Sequence, residues 1–357
     1  METKFGFDSH TAESDTVFFE ARDERVTLCG FVDPRNDSEY RRVPADVAKA
    51  TSDLVSQLAV NTAGGRVRFA TDSPYVIIKS EMEWMADMAH FPRSGSSAFD
   101  FYIRHGDNYI FKQSFMPGGP EKGYEGKADI PYPGMNEVMI NFPSYSPVTN
   151  LYIGVKDGSA VRPATEYKYK KPVVYYGSSI TQGACACRPG NSYEAIISNE
   201  LDCDYINLGF SGSARAEDAI TGYIASLDMS VFVLDYDHNA PTPEYLGATH
   251  KKMFSRIREA QPTLPIVIVS MPVYITDGGV AVSPFDLPTV LRRRDIIKKT
   301  YDDAVAAGDK NVAFVDGTTL FDGTYPELCT VDTVHPNDAG FFCMAEKIGA
   351  AVKAFLK

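Results

Sequence analysis

Residues 173–183 read Val173-Val174-Tyr175-Tyr176-Gly177-Ser178-Ser179-Ile180-Thr181-Gln182-Gly183. An apolar run that stops at a glycine predicts a buried strand, Val173–Tyr176, ending in a tight loop. The rhythm then repeats. Strands are predicted at Tyr205–Leu208, Val231–Tyr236, Ile266–Met271 and Ala313–Val315. Helices are predicted at Tyr193–Leu201, Ala216–Ala225, Pro243–Ala260, Thr289–Ala306 and Ala339–Phe355. Such βα repeats imply a parallel sheet with helices on both faces. Thr242 ahead of Pro243 and Glu244 marks a helix start, a hydroxyl cap followed by proline at the first helical position.

Upstream of this stretch the pattern differs. Short runs bounded by turn residues lie at Val67–Ala70, Tyr75–Lys79, Phe99–Arg104, Tyr109–Gln113, Glu137–Asn141 and Asn150–Val155. Tyr75-Val76-Ile77-Ile78 is continuously apolar, as a strand buried on both faces would be. Many short strands with Gly/Pro gaps predict an all-β sandwich or jelly roll. Ala45–Leu58 has helical spacing and reads as an insert in it. The polar stretch Lys156–Lys171, which holds Pro163, reads as a linker. The expected domains are therefore 1–165 and 172–357.

The 357 residues exceed one ordinary core and suit two. A net charge of −12, from 47 acidic against 35 basic residues, argues against nucleic acid and anionic membrane surfaces as partners. Met1–His10 lacks a charged segment followed by an apolar run, so no signal peptide and a cytoplasmic location are expected. The six cysteines are too sparse for a disulfide framework.

In open parallel sheets, ligands bind beyond the carboxyl ends of the strands. Ser179 stands just there, between Gly177 and Gly183. By itself this could be a plain strand-to-helix turn. However, Asp332-Thr333-Val334-His335-Pro336 follows near the C-terminus. A serine hydroxyl needs a base to take its proton, and a carboxylate can hold the imidazole in the useful tautomer. Asp332 and His335, three residues apart on a loop before the last helix, can supply both. Taken without Ser179, they would read as a capping Asp and a surface His.

With these residues the chain resembles the SGNH, or GDSL-like, hydrolases. Ser179 in Gly177–Gly183, Gly212 in Asn207–Gly212, Asn239 in Asp235–Pro241, and Asp332 with His335 follow the order of that family's four blocks over residues 172–357. Tyr40–Pro44, Asn61–Phe69, Ala98–Tyr102 and Gln182–Gly190 resemble bacterial esterases of this type that carry a preceding β-rich domain, among them carbohydrate O-acetyl esterases. The resemblance implies a three-layer α/β/α fold with a flavodoxin-like five-stranded sheet of order 2-1-3-4-5. It implies Ser179 as nucleophile and His335 and Asp332 as its partners. The implied oxyanion donors are the backbone N–H groups of Ser179 and Gly212 and the Asn239 amide. No cofactor or metal is expected. This chain departs from the family at Ser178, where Asp is usual, and at Asp237-His238-Asn239, which lacks the usual glycine before Asn.

The remaining candidates have plainer readings beside the functional ones. Arg188 and Asn191 follow the nucleophile loop and are candidate substrate contacts. His238 is either a substrate contact or a hydrogen-bonded loop histidine. Trp84, the only tryptophan, is either core or a sugar-stacking platform. Cys185 and Cys187 lack a second Cys or His pair at metal-binding spacing and read as loop thiols. The expected substrate is an acetylated saccharide or another small acyl ester, because the catalytic segment shows short polar loops and no long apolar lid. The alternatives are a thioesterase or lysophospholipase on the same scaffold, and a non-catalytic saccharide-binding protein. Homo-oligomerisation stays open.

Overall fold

The apolar run at Tyr75–Ile78 is covered on both sides, as its composition requires. Val76 and Ile78 enter one core, while Tyr75 and Ile77 pack with Phe18 and Tyr152 against Phe5, Phe7 and Ala12. The N-terminal segment is pinned there by the Glu125 carboxylate, which accepts hydrogen bonds from Ser9 and Thr11 hydroxyls and from the N–H groups of His10 and Thr11. The computed structural model describes residues 4–119, 122–323 and 325–357.

The chain forms two units. The first comprises Met1–Arg42, Val60–Lys168 and Cys187–Gly190, and the second Val43–Ala59, Tyr169–Ala186 and Asn191–Lys357. In the first unit lie strands β1 (Thr16–Glu20) and β2 (Thr27–Cys29). Two helices of the second unit follow, α1 (Ala45–Thr51) and α2 (Asp53–Leu58). The first unit resumes with β3 (Arg66–Thr71), β4 (Tyr75–Met82), a one-turn helix α3 (Arg93–Ser96), β5 (Phe99–His105) and β6 (Asn108–Phe115). It closes with β7 (Gly123–Asp129), β8 (Asn136–Asn141), β9 (Val148–Lys156) and β10 (Val161–Pro163).

These strands make two antiparallel sheets, β1-β9-β4-β7 and β10-β3-β8-β5-β6, with β2 also on β3. Phe69, Phe101, Val138 and Ile140 of one sheet share a core with Val76, Ile78, Leu151 and Ile153 of the other, as in a sandwich. The stretch read as a linker contains β10, and Tyr167 lies against the guanidinium of Arg68, whose carbon is 3.7 Å from the ring centroid. The polarity of the stretch hid this strand because only one side of it is paired.

The second unit is the three-layer α/β/α fold. Its strands are β11 (Tyr169–Gly177), β12 (Cys203–Gly209), β13 (Val231–Asp235), β14 (Ile266–Val269), the hairpin β15 (Tyr274–Ile275) and β16 (Ala281–Val282), and β17 (Val312–Val315). Its further helices are α4 (Tyr193–Leu201), α5 (Asp218–Ser226), α6 (Pro243–Ala260), α7 (Leu287–Ala306) and α8 (Asp338–Phe355). The parallel sheet runs β12-β11-β13-β14-β17, the 2-1-3-4-5 order.

Alternate residues of β11 face opposite layers. Val174 and Tyr176 pack with α1, α2, α5, α6 and α7, while Val173 and Tyr175 pack with α4 and α8. Each fully buried aliphatic side chain contributes roughly 1.5–3 kcal/mol, which is why these strands are apolar on both faces. The segment read as an insert in the β-rich part thus forms two helices whose partners lie in the second unit. Thr242 caps α6 as expected, accepting the Tyr245 N–H. Among the described residues no helix is long and apolar enough to cross a membrane.

Candidate active site

Strand β11 ends at Gly177, where the backbone is crowded. A Cβ there would lie 2.1 Å from Thr181 Oγ1 and 2.5 Å from the Asp235 carbonyl oxygen. Only glycine lets the chain turn so closely over β13. The loop then closes on itself: Gln182 N–H donates to Ser178 O, Gly183 N–H to Ile180 O and Ala184 N–H to Ser179 O. Ser178 Oγ accepts the Ile180 N–H at 3.2 Å. This is a bond an aspartate could also accept, so the departure at Ser178 leaves the turn supported.

The buried Ser179 hydroxyl lies 2.9 Å from His335 Nε2. His335 Nδ1 lies 2.8 Å from Asp332 Oδ2. A carboxylate only accepts, so Nδ1 carries the proton and Nε2 is left to accept from the serine. The other oxygen, Asp332 Oδ1, accepts the N–H groups of His335 at 2.8 Å and Val334 at 3.1 Å. Burial by itself would raise the Asp332 carboxyl, but these bonds and the His335 ring hold it below its ordinary value. The loop is tied at its base, where Asn337 N–H donates to Cys329 O and Val331 N–H to His335 O.

Gly212 follows β12 with φ at +68°, in the left-handed region, and no atom within 4 Å of where a Cβ would be. The adjoining Ser211 N–H donates to Gln182 Oε1 at 3.0 Å, and Asn207 bonds both Thr181 O and the Gly209 N–H. These bonds fasten the Gly212 loop to the Ser179 loop. Asn239, after β13, accepts the Ala214 N–H through Oδ1 at 3.2 Å, which leaves its NH₂ as the donor group of the amide.

His238 is partly buried. Its pKa is pushed down to about 3, first by burial and then by the charges of Arg293 and His335, so it is a neutral imidazole. Asn191 is half-buried at the end of a 3₁₀ turn, Pro189–Asn191, ahead of α4.

Arg188 and Trp84 belong to the first unit. The Arg188 guanidinium stacks over Phe111, 3.6 Å from the ring centroid, with Nε 4.0 Å from the Asp100 carboxylate. Trp84 is 43% exposed, so the core reading fails for it. It lies on an irregular segment past β4, where no pattern could show which way it faces. Cys185 is buried and its thiol is raised to about 12, first by burial and then by the Asp332 charge.

Several residues of the site carried no motif. Asp235 Oδ2 accepts from Thr181 Oγ1 and Tyr193 Oη, each at 3.0 Å. Asp237 pairs with Arg293 at 2.7 Å, from 56 positions away. A carboxylate at a strand end and the middle arginine of the run Arg292–Arg294 give no signal of these partners in a single sequence.

Residues 170–353 match the GDSL-like Lipase/Acylhydrolase family, and residues 16–161 match GxDLY, described as the N-terminus of SGNH-hydrolase-type esterases. The solved structure of a candidate GDSL-like lipase from Bacteroides ovatus ATCC 8483 is similar with a TM-score of 0.83 at 28% identity, covering 96% of this chain and 98% of that one. The salicylyl-acyltransferase SsfX3 from a tetracycline biosynthetic pathway is similar at 0.76 and 20% identity, covering 97% and 100%. A family two carbohydrate esterase from Cellvibrio japonicus is similar at 0.59 and 14% identity, covering 96% and 98%. The last two likenesses are likenesses of fold. Among curated protein sequences none matches this chain.

Proposed function

Because this chain belongs to the GDSL-like lipase/acylhydrolase family and is a carboxylic ester hydrolase, we propose that it removes short acyl groups, acetyl esters of saccharides foremost, through an acyl-enzyme on Ser179. The single observation that carries this reading is the relay of 2.9 Å and 2.8 Å from Ser179 Oγ through His335 to Asp332. Ser179 Oγ attacks the ester carbonyl carbon as its proton passes to His335 Nε2. Asp332 stabilises the imidazolium. The negative carbonyl oxygen is met by the N–H groups of Ser179 and Gly212 and by the Asn239 NH₂. The C–O bond to the alcohol breaks, and the alcohol leaves with the proton from His335. Water then repeats the attack on the acyl-enzyme, with His335 as base, and the carboxylic acid departs.

Support for a short acyl group comes from the loops around the strand ends. Two of the five connections from a strand end to the next long helix, 210–217 and 236–242, are brief and polar. Those at 178–192 and 316–337 depart from the expectation of short loops, as does the one between β14 and α7, 270–286. This last one folds as the small hairpin β15–β16 over Met271, Val273 and Val290, with Ile275, Ala281 and Phe285 packed against them and Val280 exposed. The full-length likeness to a carbohydrate esterase supports trying saccharides first.

The test is a chain-length series of nitrophenyl esters beside a panel of acetylated oligosaccharides, with released acetate measured by mass spectrometry. The expected result is a maximum of kcat/KM at acetyl and acetate released from at least one glycan. A maximum at octanoyl or longer, with no glycan deacetylated, would overturn it in favour of a lysophospholipase or thioesterase.

A further inference from the structure

We propose that the buried ion pair Asp237–Arg293 positions the turn that presents Asn239. The proposal rests on the reading of Asn239 as an oxyanion donor. One guanidinium binds both ends of that turn. Arg293 Nη2 donates to Asp237 O at 2.6 Å and to Ala240 O at 3.0 Å, and Nε donates to the Asp237 carboxylate at 2.7 Å. The other oxygen of that carboxylate accepts the Met271 N–H at 3.1 Å, just past β14. The turn itself closes by Ala240 N–H donating to Asp237 O. The two side chains are each 1% exposed.

Arg293 stands among the buried residues of α7, in line with Val290, Ile297, Thr300 and Ala304. A charge in such a stripe is costly unless paired, and a pair of apolar residues would fill the same space at least as stably. Packing alone therefore does not account for it. A planar fork that ties two carbonyls and a carboxylate does what neither an apolar residue nor a lysine can do. The family's usual glycine is missing at this turn, and Asp237, His238 and Asn239 all have ordinary φ. Arg293 braces this turn from outside it, at both of its ends. With Asn239 Oδ1 held by Ala214, its NH₂ then has one direction.

The experiment is a mutant cycle on the full chain with an acetyl nitrophenyl ester. The variants are Asn239→Ala, the double variant Asp237→Leu/Arg293→Met, and the triple combination, with thermal melts to establish folding. The double variant removes both charges together, so no unpaired ion is left buried. It should lower kcat roughly 10–100-fold with KM within about threefold of wild type, because an interaction made mainly in the transition state is lost. The triple variant should be within about threefold of Asn239→Ala, since residues acting as one unit are not additive. Should the double variant fail to fold, Arg293→Lys keeps the charge, loses the fork and is read by the same cycle. A folded double variant, or Arg293→Lys in its place, with wild-type kcat overturns the proposal. So does a loss that multiplies in full with that of Asn239→Ala. If Asn239→Ala is itself inert, the oxyanion reading falls and this proposal with it. A crippled Asn239→Ala beside an unimpaired ion-pair variant sinks this proposal alone.

Discussion

Asp332 grips His335 twice, once at the ring and once at the backbone N–H. The double grip fixes the tautomer and lowers the carboxyl below its ordinary value. The sign follows directly: a lowered acid stays ionised as the pH falls, so the proton that stops activity on the acid side belongs to His335. The acid limb of kcat/KM should therefore follow one proton. A limb of slope two, or a flat profile with the protein folded, would remove His335 as the base. Asp332→Asn should lower kcat by roughly 10²–10⁴-fold, as expected when the imidazole is held in the wrong tautomer. At this scale Ser179, Asp332 and His335 were legible as candidates because a serine at a strand end and an Asp and His three residues apart, each plain by itself, read together as nucleophile, base and orienter. Gln182, Asn207 and Arg293 were not, because their partners are assembled only by the fold.

At the scale of elements, the ends of β11 and β13 meet through Asp235, which receives two hydroxyls on one oxygen. Burial, against the lowering by the two hydroxyl bonds and with a smaller push from Asp237, raises this carboxyl to about 7. An acid raised in the folded state holds its proton there more tightly than in the unfolded chain. Stability from this group is full below the unfolded value near 3.8 and is lost as pH rises through about 7. Asp235→Asn keeps an acceptor for both hydroxyls and cannot ionise. Its melting temperature relative to wild type should therefore be higher at pH 8 than at pH 5, on the order of 1–4 kcal/mol in stability. An equal offset at both pH values would mean that Asp235 is not raised. The parallel strands were legible because burial on both faces leaves unbroken apolar runs. Gly123–Asp129 and Val161–Pro163 were not, being edge strands with one partner and little apolar surface. The helices at 45–58 were legible as helices from their spacing, but spacing says nothing of which core receives them.

For the whole molecule, the two family matches cover residues 16–161 and 170–353, and every catalytic role proposed here lies in the second stretch. The order of the four blocks was readable because each follows a strand end or precedes a helix, where the backbone must turn and side chains converge. The acyl group and the acceptor were less readable, since they depend on the shape of loops that share no pattern. The proposed nucleophile of this ester hydrolase is Ser179. The most direct test is to label the protein with a fluorophosphonate and map the adduct by peptide mass spectrometry while esterase activity is followed. The expected result is a single adduct on Ser179 that grows as activity disappears, with neither adduct nor activity in Ser179→Ala. An adduct on Ser178 or elsewhere that tracks the loss of activity, or a Ser179→Ala variant that still hydrolyses acetyl esters, would contradict it.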